Sequence, residues 1–196
     1  MNFIGFYNYT VVLTYISLVS AVIGIIQTTR NDLDSAILCL IISGICDGFD
    51  GTIARTKKDR NEDEKMFGIQ IDSLCDVISF GIFPAILSFY LGLNDIFGII
   101  IVISYCLCAV IRLAFFNIVE TKRQKVESGC NKFYHGLPVT SISIILPFFY
   151  IFKSLTRANV FSIIMHCVIG LTSFLFVLDF KVKKFHISLS QKYKGL

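Results

Sequence analysis

Six apolar stretches, each near the length that crosses a bilayer, fill most of this 196-residue chain, and carboxylates stand inside two of them. A span needs roughly 20 apolar residues to cross about 30 Å of hydrocarbon. The stretches lie near Val11–Gln27, Leu33–Ile53, Ile69–Leu91, Ile96–Ile118, Leu137–Phe152 and Val160–Leu178. With 55% apolar residues and 16% charged ones, the composition is far from that of a soluble domain. The expected fold is all-α: one polytopic membrane domain over residues 1–196, with six transmembrane helices. Gly92, followed by Asn94 and Asp95, marks a tight turn between the third and fourth.

Basic residues in the connections orient the chain. Lys57, Lys58, Arg60 and Lys65 lie between spans two and three, and Lys122, Arg123, Lys125 and Lys132 between four and five. The C-terminal tail adds Lys181, Lys183, Lys184, Lys192 and Lys194, whereas the opposite side holds Arg30, Lys153 and Arg157. Both termini are therefore expected in the cytoplasm of an integral cell-membrane protein. The chain's net charge of +4, carried mostly on that face, suits anionic lipid headgroups, and no groove-reading basic element points to nucleic acid. The N-terminus lacks a basic n-region and a small-residue cleavage site, so the first apolar segment reads as a retained helix. The seven cysteines have no paired metal-ligand spacing and read as small apolar residues.

An acid within a span is costly and therefore a functional-site hypothesis. Asp47 and Asp50, three apart, share a face at the cytoplasmic end of span two. Asp72 and Asp76, four apart, share a face near the start of span three. Folding the two spans as an antiparallel pair brings the four together on the cytoplasmic side. Such a cluster needs a cation, and an all-oxygen donor set favours Mg²⁺ or Mn²⁺, as one ion or as two about 3.5–4 Å apart. Gly48, Gly51 and Gly68 leave room for a ligand or another helix. Arg55, one turn beyond Gly51, offers a planar fork of donors to phosphate. Acids for metal, glycines for approach and arginine for phosphate suit phosphoryl transfer. The same acids in a cation transporter would line an ion path.

The stretch from Asp47 to Asp76 resembles the signature of the CDP-alcohol phosphotransferase family, Asp-x-x-Asp-Gly-x-x-Ala-Arg, a spacer, then Gly-x-x-x-Asp-x-x-x-Asp. Asp47, Asp50, Gly51, Ala54, Arg55, Gly68, Asp72 and Asp76 fill every signature position. The spacer, Thr56 to Phe67, is twelve residues long and exceeds the family's usual length. Its hydrophilic sequence is expected to lengthen a solvated loop without moving the helices. The resemblance implies a CDP-linked lipid donor, binding of its phosphates and nucleotide by Asp47, Gly51, Ala54, Arg55, Gly68 and Asp72, two divalent ions on the four aspartates, and a homodimer. Asp76, the last acid of the signature, is implied as the general base.

Three further stretches resemble segments of the family's serine-using members: Asp72 to Ala85, Arg112-Leu113-Ala114-Phe115-Phe116-Asn117, and Phe133-Tyr134-His135-Gly136-Leu137-Pro138. They imply L-serine as acceptor, with Arg112, Asn117, His135 and Gly136 as candidate acceptor or headgroup residues. Arg112 lies deep in span four and needs an anionic partner, either the serine carboxylate, a lipid phosphate or one of the four aspartates. Asn117 either meets the serine amine or caps its helix, and His135 either meets a headgroup or is a solvated loop histidine. Ser79 and Asn131 are weaker candidates, and His166 belongs to no visible constellation. Thr10, Thr14 and Ser17 are open between nucleotide contacts and helix-packing hydroxyls. Sibling acceptors, glycerol 3-phosphate or an inositol phosphate, are the nearest alternative.

Overall fold

The computed structural model describes residue 5 and residues 11–54, 61–126 and 133–183. For 51–54, 120, 122–126, 133–135 and 181–183 it describes the backbone alone. Helices α1 (Val12–Thr29) and α2 (Leu33–Ala54) form an antiparallel hairpin. Asn31, in the left-handed region at φ 63°, makes the turn, and Asp32 Oδ1 caps α2 by accepting the Ser35 N–H at 3.2 Å. The face of α1 turned inward is small and hydroxylated: Thr14, Ser17, Ser20, Ala21 and Gly24 are buried. Ser17 and Ser43 share a 2.7 Å hydroxyl contact, and Ser20 donates to the Cys39 carbonyl at 2.9 Å. Val12, Ile16, Val19 and Ile23 point outward instead. Large apolar residues outside and small ones between helices is the arrangement expected where lipid is the solvent.

The third span is one continuous helical rod in three parts: α3 (Glu62–Asp76), a π-helical segment (Val77–Ile82) and α4 (Phe83–Tyr90). Six residues expected in the solvated loop, Glu62 to Phe67, are therefore helical. Asn61 Oδ1 caps the start by accepting the Glu64 N–H at 2.7 Å, and Glu62, Asp63 and Glu64 complement the helix dipole. Pro84 has no N–H to give the Phe80 carbonyl one turn back, so a regular α-helix would orphan it. Tyr105 supplies the missing donor, its hydroxyl 2.6 Å from Phe80 O. The π-turn sits where that ladder is interrupted.

Gly92, at φ +119°, ends α4, and α5 (Ile96–Val126) follows. The next segment comprises a 3₁₀ turn (Val139–Ser141), α6 (Ile142–Tyr150, with Pro147 inside) and a second 3₁₀ turn (Ile151–Lys153). Helix α7 (Ala158–Val177) follows. The helical expectation is supplemented by one small ribbon, β1 (Phe133–His135) antiparallel to β2 (Lys181–Lys183). The buried core joins Leu40, Phe80, Phe83, Tyr105, Leu146 and Met165. Gly24 admits the Phe83 ring so closely that a Cβ there would overlap it.

Among the described residues, four helices are long and apolar enough to cross a membrane: Val12–Thr29, Glu62–Tyr90, Ile96–Val119 and Ala158–Val177. Helix α2 has 22 residues but carries Asp34, Asp47 and Asp50, and the apolar segment Val139–Lys153 is shorter. The two remaining expected spans thus correspond to helical segments, one long enough but interrupted by acids and the other too short.

Candidate functional site

The four aspartates converge where α2 and α3 face one another. Asp47 approaches Asp76, and Asp50 approaches Asp72, each pair within hydrogen-bonding reach. This crosswise pairing follows from the spacings three and four on two antiparallel helices. One oxygen from each of Asp47, Asp50 and Asp72 lies within 4.8 Å of the others. Asp76 adjoins this triad through Asp47. Asp50 is buried, and Thr14 on α1 donates its hydroxyl to Asp50 Oδ2 at 3.1 Å. Asp72 Oδ1 is buried with no hydrogen-bond partner among the described residues.

A buried carboxylate oxygen with no donor is expensive, and three converging acids repel. A divalent cation answers both problems, and the all-oxygen donor set fits a hard ion such as Mg²⁺ or Mn²⁺. The residues present therefore fit the implied metal. Around them, a Cβ added at Gly48 or Gly68 would meet nothing within 4 Å. Among the described residues, those two glycines border open space rather than a neighbouring helix. The close helix contacts are made instead by Gly24 against Phe83 and Gly44 against Ser143. Gly51 and Ala54 continue the α2 backbone, and Arg55 lies outside the described residues.

Asn117 on α5 is tied to the aspartate helix: Ser73, next to Asp72, donates its hydroxyl to Asn117 Oδ1 at 2.6 Å. Arg112, also on α5, is buried and donates from Nε to the Leu137 carbonyl at 3.1 Å. The carboxylate whose field reaches it is Asp179, beyond the end of α7, so pairing with one of the four aspartates is not the arrangement found. His135 contributes backbone to β1, and Gly136 follows at φ +72°. Ser79 is buried in the π segment, its hydroxyl unpaired among the described residues, and Asn131 and Thr10 lie outside them. Ser17 is a packing hydroxyl, as one of its two readings anticipated.

Two constellations escape a linear reading. Tyr105 serves the carbonyl freed by Pro84, a need signalled only by the proline itself. His166 places Nε2 2.8 Å from Asp95 Oδ1 and Nδ1 2.7 Å from the Ser162 carbonyl, latching α7 to the turn before α5. Seventy-one positions separate that His–Asp pair, and no spacing rule connects them.

A family model described as CDP-alcohol phosphatidyltransferase matches residues 7–178, which includes all four aspartates and both helices that carry them. The chain belongs to the CDP-alcohol phosphatidyltransferase family. Within this CDP-alcohol phosphatidyltransferase family, a Saccharomyces cerevisiae protein named CDP-diacylglycerol–serine O-phosphatidyltransferase is 37% identical over 113 residues, covering 56% of this chain and 40% of that protein. An archaetidylserine synthase of Methanothermobacter thermautotrophicus is 31% identical over 137 residues, covering 67% of this chain and 53% of its own. A Methanocaldococcus jannaschii CDP-diacylglycerol–serine O-phosphatidyltransferase is 28% identical over 171 residues, 87% of this chain and 73% of that protein. The chain thus spans about half or less of the length of the first two of these relatives.

Proposed function

We propose that this protein transfers a phosphatidyl group, or its archaeal ether equivalent, from a CDP-linked lipid to the hydroxyl of L-serine and releases CMP. The observation that carries the reading is the convergence of Asp47, Asp50 and Asp72 within 4.8 Å inside the matched family region. The acceptor rests on the serine named in the relatives' activities and on the segments around Arg112 and Gly136. The archaetidylserine synthase among them supports the alternative lipid chain.

Asp47, Asp50, Asp72 and Asp76 would hold one or two divalent ions, whose chemistry there is neutralisation of the pyrophosphate and the departing CMP. Gly48, Gly51 and Gly68 leave the donor's headgroup room to approach, and Arg55 adds a cation to its phosphates. Asp76 accepts the serine hydroxyl proton. The serine oxygen forms a bond to the lipid-side phosphorus as that phosphorus loses its bond to CMP, which leaves with the electron pair. Serine is a poor nucleophile at neutral pH, so placement by the Arg112, Asn117, His135 and Gly136 region matters as much as the base. We assign the protein six spans in one domain, both termini and the site in the cytoplasm, a cell-membrane location and a homodimeric state.

Detergent-purified protein should release CMP from CDP-diacylglycerol with Mn²⁺ or Mg²⁺ only when L-serine is supplied. Glycerol 3-phosphate and myo-inositol 1-phosphate run in parallel. CMP with either of those would retain the metal site and reject the serine assignment. Metal flux across vesicles without CMP release would reject the transferase itself.

A further inference from the structure

We infer that Arg112 is a positioning residue: it pins the Gly136-Leu137-Pro138 turn in place instead of touching the acceptor. The inference rests on the proposed serine reaction for its catalytic consequence, though not for its geometry.

Arg112, 7% exposed inside a helix bundle, must find acceptors for its guanidinium, because an unpaired buried cation is costly. Arg112 finds two chain segments at once. Its Nε donates to the Leu137 carbonyl at 3.1 Å, and the charge of Asp179, beyond α7, reaches it through space. The same turn is held from its other side by backbone. Gly136 N–H donates to the Phe180 carbonyl at 2.7 Å and Leu137 N–H to the Leu175 carbonyl at 3.4 Å. Just before the turn, Phe133, Tyr134 and His135 pair with Lys183, Val182 and Lys181. Gly136 fits nothing larger: it sits at φ +72°, and a Cβ would stand 2.9 Å from the Leu178 carbonyl oxygen and 3.6 Å from Arg112 Nε.

Three parts of the chain therefore meet around Gly136: α5 through Arg112, the 133–138 segment and the end of α7. The 3₁₀ turn Val139–Ser141 that follows touches α2, α5 and the π segment Val77–Ile82, which begins directly after Asp76. Pinning Leu137 thus fixes how this segment lies against both aspartate-bearing rods. With Arg112 removed, the Leu137 carbonyl loses its side-chain donor. The turn would then drift while the aspartates stayed on their helices.

The test is Arg112→Ala in the full chain, read by amide hydrogen exchange and by serine-dependent CMP release. Exchange at Gly136 and Leu137 should accelerate about tenfold or more, as expected for a lost tether. CMP release should fall roughly a hundredfold, since small misplacements are costly to catalysis. A crosslink across the ribbon, Phe133→Cys with Lys183→Cys, should then restore most of the activity, and a reductant should remove it again. Directly opposed antiparallel residues have Cα atoms about 4.5–5.5 Å apart, within disulfide range. Single-cysteine variants control for the native thiols. Arg112→Lys keeps the buried charge and loses the fork, so it tests the same claim if the alanine variant does not fold. Unchanged exchange at 136 and 137 in an inactive variant, or no recovery with the crosslink verified by mass, would make Arg112 a direct acceptor ligand and overturn the inference. Wild-type turnover in Arg112→Ala would overturn it too. Failure of the serine reading itself would be visible in the wild-type protein, while the exchange measurement would still decide the positioning role.

Discussion

The Thr14 hydroxyl on α1 donates to Asp50 Oδ2 on α2 across 3.1 Å, joining residues 36 positions apart in the sequence. The bond fixes one carboxylate of the triad from outside the pair of helices that supplies the aspartates. Outer-shell partners of this kind orient metal-binding carboxylates.

Replacing Thr14 with valine keeps the shape of the side chain and deletes its donor. Mn²⁺ affinity, followed by electron paramagnetic resonance on protein without donor lipid, should weaken roughly tenfold or more. Thr14→Ser should recover it. Wild-type Mn²⁺ binding by Thr14→Val would mean the hydroxyl serves packing alone.

Asp76 adjoins the triad through Asp47 and carries the proposed base function. Asp76→Asn should lower CMP release by roughly 10²–10⁴-fold while CDP-lipid binding persists. If binding disappears together with turnover, Asp76 is first of all a ligand of the metal.

Gly24 and Phe83 form a size-matched pair between α1 and α4, since a Cβ at Gly24 would overlap the ring. Gly24→Ala should therefore cost about 1–3 kcal/mol through overpacking. In the double variant Gly24→Ala with Phe83→Leu the losses should be less than additive, as thermal unfolding in detergent would reveal. Additive losses would mean the two sites relax independently.

Asp95, in the turn before α5, is held below the usual carboxylate range, first by its hydrogen bond with His166 and then by the Gly98 N–H. A carboxyl depressed in the folded state contributes stability that is present above its ordinary pKa and is lost as pH falls through the depressed value. The wild-type unfolding midpoint should therefore decline in acid below about pH 4, and His166→Gln should flatten part of that decline. Equal acid profiles for the two proteins would remove Asp95 from the latch.

Much of the site was legible because its spacing is local. Asp47 with Asp50, and Asp72 with Asp76, must share faces on any α-helix, and the intervening hydrophilic stretch lets those helices return antiparallel. The extent of α3 was less legible: the run Glu62-Asp63-Glu64 reads as solvated loop by polarity alone. With Asn61 as cap, the same acids favour a helix start, so polarity and capping pointed different ways.

The sequence by itself determined the helical class, the apolar lengths and the residues that could gather around a cation, because all three follow from periodicity and composition over short windows. Tertiary structure alone decided that Thr14 reaches Asp50, that Ser73 meets Asn117, and that Arg112 holds Leu137. It also decided that Tyr105 answers the carbonyl released by Pro84. Each of these joins side chains or carbonyls from different helices. Their meeting depends on how each helix is rotated and which one stands beside it, and the period of a single helix carries neither quantity.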